Sequence, residues 1–498
     1  MKSYIDIPQF TTLEDIRKRD YTLSASQYKT FCIKNQSTKT VADFLERGLE
    51  RSDLGVEVGS EAYVEKSKYV FIKTKALQEE TYLLNDVKDA FEYVTPQSFV
   101  KMNLKKGDLI ISKDSNVGEI AILDKDYPNA MLCSGIYRLP IKEHKLYLLA
   151  FIKHPIFRQQ IDYLVPRGST IRHGKTKFLQ CKIPVPTENA ENTILYIECL
   201  VQAIINKEIE IRNKHSKIMS FIQQELETNQ KPDEFVFSQP TISEICSLNR
   251  LDSSIYAEEF KAKQHLVHNY SNGFSTVAEM GFSICRGQNL QISNIGLSIQ
   301  TKQAVEGYYT LILPNYITKY GTISQTQFIG NSYDLKTLNP GDIIFGAEGN
   351  EKGRSLVVFE SDKKTITNIH GITLNHDSDN LNKSVFVKLF LDWYRQNGMI
   401  DAYAVGGNGG SLAIKYWDIL KFPNFDINKE NEIVSLYYSP LNIYNPAECN
   451  FETFLNYDQQ FNEAAGIYEI DKSLKYLQAK LDKAIQNIAD NVEVDIAF

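Results

Sequence analysis

Cysteine is scarce in this sequence: seven residues in 498 (Cys32, Cys133, Cys181, Cys199, Cys246, Cys285 and Cys449), odd in number and never spaced as CxxC. That usage excludes a disulfide framework and the paired-cysteine zinc sites, and it fits a reducing cytoplasm. Long hydrophobic runs are missing too. No stretch approaches the roughly 18 apolar residues that cross a bilayer, so no membrane association is expected. The opening MKSYIDIPQF is polar and lacks the apolar run of a secretion signal, which adds to the expectation of a cytoplasmic protein. Recognisable catalytic strings are absent as well: no [DNS]-P-P-[FYW] tetrapeptide, no FxGxG loop, no HExxH and no clustered His/Cys set. The eight histidines stand singly and read as structural before catalytic. No catalytic residue, metal ligand or cofactor is expected.

What is present is the composition of a globular protein, 43% hydrophobic and 23% charged, long enough for about three units at roughly 150 residues each. The net charge of −7 argues at first sight against a nucleic-acid partner. The charge is uneven, however. Residues 19–187 carry 26 Lys+Arg against 20 Asp+Glu, and residues 250–426 carry 16 against 17. The acidic excess sits in 188–249 (5 against 10) and 427–498 (5 against 12). Charge therefore has to be judged segment by segment.

The chain is written twice, at an offset of about 236 residues. TVADFLERGLERSDL (40–54) stands against TVAEMGFSICRGQNL (276–290), and LKKGDLIISKDSNVGEIAIL (104–123) against LNPGDIIFGAEGNEKGRSLVV (338–358). VPRGSTIRHGKTKFLQCKIPVPT (165–187) stands against AVGGNGGSLAIKYWDILKFPNFD (404–426), and the copies open alike with TLSASQY and RLDSSIY. Within each copy, DLIIS, EIAIL, GDIIF and SLVVF are short β-type runs between turn residues. A helical stretch follows in both, KLYLLAFIKHPIFRQQIDYL and VFVKLFLDWYRQNGMI. Each copy reads as a mixed α/β domain.

After Pro186 comes a run of more than thirty residues without Gly or Pro. A 3–4 spacing picks out Ile194, Ile197, Val201, Ile204, Glu208, Ile211, His215, Ile218 and Ile222, the pattern of a long helix with a coiled-coil seam. At roughly 1.5 Å per residue it would reach about 50 Å. The second copy ends in Ile467, Ile470, Leu474, Leu477, Leu481, Ala484 and Ile488 at the same spacing. Pairing of the two helices is expected, against the alternative that each packs on its own domain. The polar seam residues Glu208 and His215 either set the register of such a pair or face solvent at the edge of a wider stripe.

GSTIRHGKT (168–176) ends like a phosphate-binding loop, but G-x-x-x-x-G-K-[ST] requires a first glycine at position 169, where Ser169 stands. Pro184, eight residues past Thr176, leaves no room for the helix such a loop must enter, and the second copy has GGNGGSLAIK instead. What remains is a glycine-rich loop carrying Arg167, Arg172, His173, Lys175 and Lys177 among Ser169, Thr170 and Thr176. The mixture suits duplex DNA, with cations for phosphate and Arg for guanine edges. A solvated basic loop is the plainer alternative.

With these elements in order, the sequence resembles the specificity (S) subunits of type I restriction–modification systems. The resemblance covers almost the whole chain. It rests on the duplicated GD[LI]I blocks with glycine-rich loops behind them, on G-S-T-I…L…IPVP, on RLDSSIY, and on the long helix after each block. It implies an α+β protein in which two tandem mixed α/β target recognition domains are each followed by a long helix, the helices pairing as an antiparallel coiled coil. It further implies a non-catalytic DNA-recognition subunit whose domains each read one half of a bipartite double-stranded DNA site. The helices would space the domains and dock methyltransferase (modification) subunits and, through the complex, motor-nuclease restriction subunits. Half-sites about one turn apart, roughly 34 Å, would lie on one face of the DNA. The expected division is an N-terminal arm (1–18), a first recognition domain (19–187), a central helix (188–230), a linker (231–249), a second recognition domain (250–426), and a C-terminal helical region (427–498) with an insertion near 437–460. Three features depart from the family: Glu191-Asn192 after IPVP, KFPNFDINKENEIV without a second proline, and two prolines in 437–460. They leave open whether docking is the same on both sides.

Loops carry the candidate DNA-binding residues. In the first domain these are Lys113, Ser115 and Asn116 after the GD strand, with Arg167, Ser169, Thr170, Arg172, His173 and Lys175. In the second they are Glu348, Asn350, Lys352, Arg354, Asn408, Ser411 and Lys415. Glu348 stands out, since a carboxylate at DNA repels phosphate unless it accepts from a cytosine amine. Two other classes remain beside this reading: a DNA nuclease with an unrecognised site, for which acidic-x-Lys strings such as EHK (143–145) are the motive, and a two-domain scaffold that binds protein or RNA.

Overall fold

The computed structural model describes residues 3–165, 173–349, 351–360, 364–376, 381–406 and 410–498. Two compact units emerge, one formed by Met1–Ile209, Tyr444–Glu463 and Lys472–Phe498, the other by Glu210–Ile443 and Ala464–Asp471.

Seven strands build the two main sheets of the first unit: β1 (Tyr63–Val64), β2 (Val70–Ile72), β3 (Phe91–Val94), β4 (Leu109–Ser112), β5 (Ile120–Ile122), β6 (Ala130–Leu132) and β7 (Ile136–Leu139). One sheet runs β1-β3-β2-β6, with β2 and β6 parallel, and the other runs β7-β4-β5. The run LIIS has all four side chains buried because β4 lies between two strands and is covered on both faces, which explains its continuous rather than alternating apolar pattern. Ile110, Ala121 and Ile136 from this sheet share a core with Ile72, Ala130 and Leu132 from the other. Each large apolar side chain so buried contributes about 1.5–3 kcal/mol.

In the second unit the strands are β8 (Phe282–Arg286), β9 (Ser298–Thr301), β10 (Tyr309–Leu311), β11 (Gln327–Asn331), β12 (Ile343–Gly346), β13 (Ser355–Val357), β14 (Thr365–Ile366) and β15 (Gly371–His376). Their orders, β9-β11-β10-β14 with a parallel β10·β14 pair and β8-β15-β12-β13, reproduce those of the first unit with one strand added. The added strand is β8, paired with β15 from Phe282↔His376 to Arg286↔Ile372. In the first unit the same edge carries two isolated bridges, Leu45↔Ile141 and Leu54↔Tyr137, in place of a strand.

Glycines fix the register of the repeat at this edge. A Cβ on Gly55 would lie 2.0 Å from the Cys133 carbonyl oxygen, and one on Gly287 would lie 2.2 Å from that of Asn368. Both glycines answer the same close backbone approach. The sequence pairing at offset 236 had set Arg51 against Gly287, so it slips by four residues here. The structural repeat also starts upstream of TLSASQY and RLDSSIY. A short helix capped by the Thr12 hydroxyl (Leu13–Lys18) has its counterpart in one capped by Thr241 (Ile242–Leu248). Tyr28 Oη donates to the Thr22 carbonyl (2.5 Å), and Tyr256 Oη to that of Arg250 (2.8 Å), six residues back in each.

The expected helical stretch is broken once in each unit. In the first it is α1 (Lys145–Lys153) and α2 (Pro155–Leu164), broken where Pro155 opens the second helix and His154 caps it. A long helix, α3 (Ala190–Thr228), then runs through both units. In the second unit the stretch becomes α4 (Leu381–Gln396) and α5 (Met399–Tyr403), broken at Gly398 with φ +71°. The C-terminal elements are α6 (Ile427–Tyr437), α7 (Phe454–Ala464) and α8 (Ile467–Ala489). All seven seam residues of α8 are buried. Within the first unit α3 and α8 run antiparallel. Tyr196, early in α3, donates to the Ala497 carbonyl beyond the end of α8 (2.7 Å), and Lys207, about three turns on, meets Asp458 before its start.

Glu208 and His215 each meet a domain body. Glu208 accepts from Thr81 Oγ1 (2.7 Å) and the Tyr82 amide (3.1 Å) in the first unit. His215 is buried in the second, its Nε2 3.4 Å from Asp392. Both seam positions make contacts with a domain body. Among the described residues no helix is long and apolar enough to cross a membrane.

Candidate nucleic-acid interface

The turn after β4 is set by backbone geometry. Ser112 Oγ donates to the Asp114 carbonyl (2.6 Å), Ser115 sits at φ +60°, and the Gly118 amide returns to the Ser112 carbonyl (2.8 Å). His173-Gly174 is zipped onto this turn: Asp114 and His173 form a β-bridge, and the Gly174 amide donates to the Lys113 carbonyl (2.7 Å). Two loops that lie some sixty residues apart in the chain are thus one surface. Asp114 is its centre, with Oδ1 2.8 Å from His173 Nδ1 and Oδ2 2.5 Å from Lys113 Nζ. The His173 side chain is 64% exposed above a carboxylate that is 18% exposed.

Ser115 and Asn116 also line a pocket with Gln78, Glu79, Glu80, Glu119, Arg158 and Asp162. Four carboxylates against one guanidinium make that side of the turn unfavourable for phosphate. Glu119 is buried there, and burial raises its pKa against the opposing pull of Arg158 and Lys153. Burial in turn pushes the Lys153 ammonium down to about 8, while its Nζ donates to the Gln78 carbonyl (2.6 Å). Lys175 is exposed. No helix follows Thr176: a 3-10 turn (Lys177–Gln180) and a strand (Lys182–Pro184) come next, in keeping with the exclusion of a nucleotide loop. Arg167, Ser169, Thr170 and Arg172 lie outside the described residues.

The second unit repeats the arrangement at the corresponding turn, after β12. Glu348 bridges Ser411, and the Leu412 amide donates to the Ala347 carbonyl (2.9 Å), so a second glycine-rich loop is zipped to its turn. Glu348 Oε2 lies 2.7 Å from His370 Nδ1, and Oε1 lies 3.3 Å from Arg286 Nη1. The His370 side chain is 60% exposed. Lys352 is buried in an ion pair with Asp401, and Arg354 pairs with Glu351 while donating to the Ile317 carbonyl (3.0 Å). These two cations are engaged within the unit, whereas Lys415 is exposed and lies over the Tyr416 ring (4.8 Å). Asn350 and Asn408 lie outside the described residues.

The structure therefore brings Lys113, Ser115 and Asn116 onto one surface with His173, and Glu348 with Ser411. It also adds Asp114, Arg286 and His370, which sequence reasoning missed. Setting Asp108 against Asp342 puts Asp114 opposite Glu348, so the shared acid was legible. His370 was not, because it comes from a different loop from the one that supplies His173. Among the described residues no group of three or more His, Cys, Asp or Glu side chains is placed to hold a metal ion.

No protein-family model matches the chain, and no curated protein matches it. Among solved structures it is similar to the S subunit of a type I restriction-modification system from M. genitalium, at 12% identity and TM-score 0.38 over 91% of this chain and 95% of that one. It is also similar to a chain from work on complex assembly and conformational transition of the type I R-M system (12%, TM-score 0.28, 92% and 99%). A third is the HsdS subunit from Thermoanaerobacter tengcongensis (12%, TM-score 0.25, 86% and 95%).

Proposed function

We propose that the chain is the sequence-specific DNA-binding specificity subunit of a type I restriction-modification complex. Each unit reads one half of a bipartite double-stranded site. The subunit supplies recognition and leaves the chemistry to its partners, methyltransferase subunits docked on the helices and restriction subunits reached through them. The observation that carries the reading is the paired construction: one strand order built twice, each time presenting a glycine-rich loop zipped to the turn that follows the central strand. A duplicated scaffold with unlike loops is what two different short sequences require, since scaffolds position and loops discriminate. The acidic stretches fall on the helical segments, where protein partners suit them better than phosphate.

Selection of bound duplexes from a random pool, with the protein co-purified with its methyltransferase subunit, tests this. Two unlike motifs at one fixed spacing are expected. A single motif would confine reading to one unit, and no enrichment from a soluble, stoichiometric complex would refute the reading.

A further inference from the structure

A carboxylate occupies one and the same place in the two units. Asp114 and Glu348 each stand two residues past the end of the equivalent strand, and each bridges its unit's glycine-rich loop. A bare carboxylate there would repel the DNA backbone. In both units it is instead offset by a cation, Lys113 or Arg286, and it holds the Nδ1 of an imidazole. The imidazoles reach that place by different routes: His173 comes from the loop before Lys177–Gln180, His370 from the turn before β15. Arrival of the same group at the same carboxylate from two unrelated chain positions is not inherited from the duplication. It marks a requirement of the place itself.

Holding Nδ1 fixes the ring and turns Nε2 away from the carboxylate. In neither histidine does Nε2 have a hydrogen-bond partner among the described residues, and both rings are more than half exposed. In its imidazolium form a ring so held donates from Nε2. We infer that His173 and His370 are the corresponding DNA-contacting side chains of the two units, donating from Nε2 to an acceptor on the duplex, with Asp114 and Glu348 as the residues that position them. Glu348 is then an orienting group and not a reader of a cytosine amine. The acceptor chemistry, an oxygen or nitrogen lone pair, is shared by phosphate and by the guanine edge.

The inference rests on the DNA-recognition reading, so the experiment begins with the wild-type complex. The protein co-purified with its methyltransferase subunit is titrated with its selected duplex, with duplexes carrying either half-site alone, and with unrelated DNA. The same titrations follow for His173→Ala, Asp114→Asn, His370→Ala, Glu348→Gln and the two double variants. Each single change should weaken the selected duplex by about tenfold. The double variants should lose no more than the histidine variants, because the carboxylate acts through the ring. A merely structural carboxylate would lower the melting temperature and would not give that non-additivity. Loss confined to one half-site identifies a guanine edge, and equal loss on unrelated DNA identifies phosphate; both support the assignment. If the wild-type complex binds its duplex and the histidine variants bind as well as it does, the assignment is overturned while the recognition reading stands. Carboxylate variants that weaken binding where histidine variants do not would make the carboxylate itself the reader. A wild-type complex that prefers no duplex overturns both.

Discussion

The two units share a strand order, but they assemble the chemistry at the end of the central strand differently. In the first, the cation beside the carboxylate is its chain neighbour, Lys113, and the sheet edge opposite has only isolated bridges at Leu45 and Leu54. In the second, that edge has grown into β8, whose last residue, Arg286, supplies the cation from across the sheet. The acid keeps its place while its partners are replaced from different loops. Duplication thus conserves where a polar group must stand, and divergence decides which segment fills the position around it.

The same contrast recurs in the buried charges, where it has the largest consequence. In the first unit Lys207, 0% exposed, meets Asp458, 0% exposed, at 2.8 Å, and Asp458 also accepts from Tyr444 and Asn462. In the second Lys388 and Asp392 pair at 2.6 Å on one helix, with His215 as a further neighbour of the acid. Lys207→Met leaves a buried carboxylate without its cation and should cost about 3–5 kcal/mol, measured by denaturant unfolding. Lys388→Met should cost less, because His215 remains beside Asp392. Equal losses would mean that the imidazole gives no support. The joint change Lys207→Met with Asp458→Leu should recover most of the loss, since it removes both charges.

The helix breaks separate the units by pH. His154 sits at the first, where burial holds its imidazole down at about 4 while its Nδ1 accepts from the Ile156 amide (3.2 Å), a bond only the unprotonated nitrogen can make. The break in the second unit uses Gly398 and has no titrating group in that position. A folded pKa below the unfolded value of about 6.5 means that stability is fully present above pH 6.5 and is lost as the pH falls toward 4, by ~3 kcal/mol. Acid unfolding followed in wild type and His154→Gln should show this limb only in the wild type. A limb that survives the substitution would assign it to other groups.

Much of this was legible in the sequence, and the failures have definite causes. The GD[LI]I strands, the seam of α8 and the failure of the phosphate loop were readable because apolar period, glycine spacing and Pro184 are local signals. The contacts of Glu208 and His215 with the domain bodies were not readable, because heptad spacing identifies a stripe but not what meets it. The register at Gly55 was lost because one glycine in a loop carries no alignment signal, although its close approach to the Cys133 carbonyl is decisive in space. His370 was invisible because nothing in its own segment points to Glu348, twenty-two residues earlier in the chain.

That register can be sharpened directly. Gly55→Ala and Gly287→Ala should each cost about 1–3 kcal/mol, because each Cβ would collide with a backbone carbonyl that cannot move without its strand. Gly48, with open space around its Cβ position, is the control and should accept alanine with little change. If Gly55→Ala proved neutral while Gly287→Ala did not, the edge without β8 would be the more compliant one.

The smallest stability effects belong to the two cations. Lys113 and Arg286 are only partly buried, and ion pairs of that kind are worth about 0–1 kcal/mol, so Lys113→Gln and Arg286→Gln should scarcely move the unfolding midpoint. Their effect on DNA should differ in kind. Lys113 is anchored to the carboxylate's own turn, so its loss leaves His173 in place and weakens the first half-site a few-fold through charge alone. Arg286 also donates to the Ile369 carbonyl (3.2 Å), the residue before His370. Its loss therefore releases the turn that carries the imidazole as well as unbalancing Glu348. Binding to the second half-site should fall further than binding to the first, measured against each half-site separately. Equal losses would show that the cations act only through their charge, and that the strand added in the second unit contributes nothing to how its histidine is held.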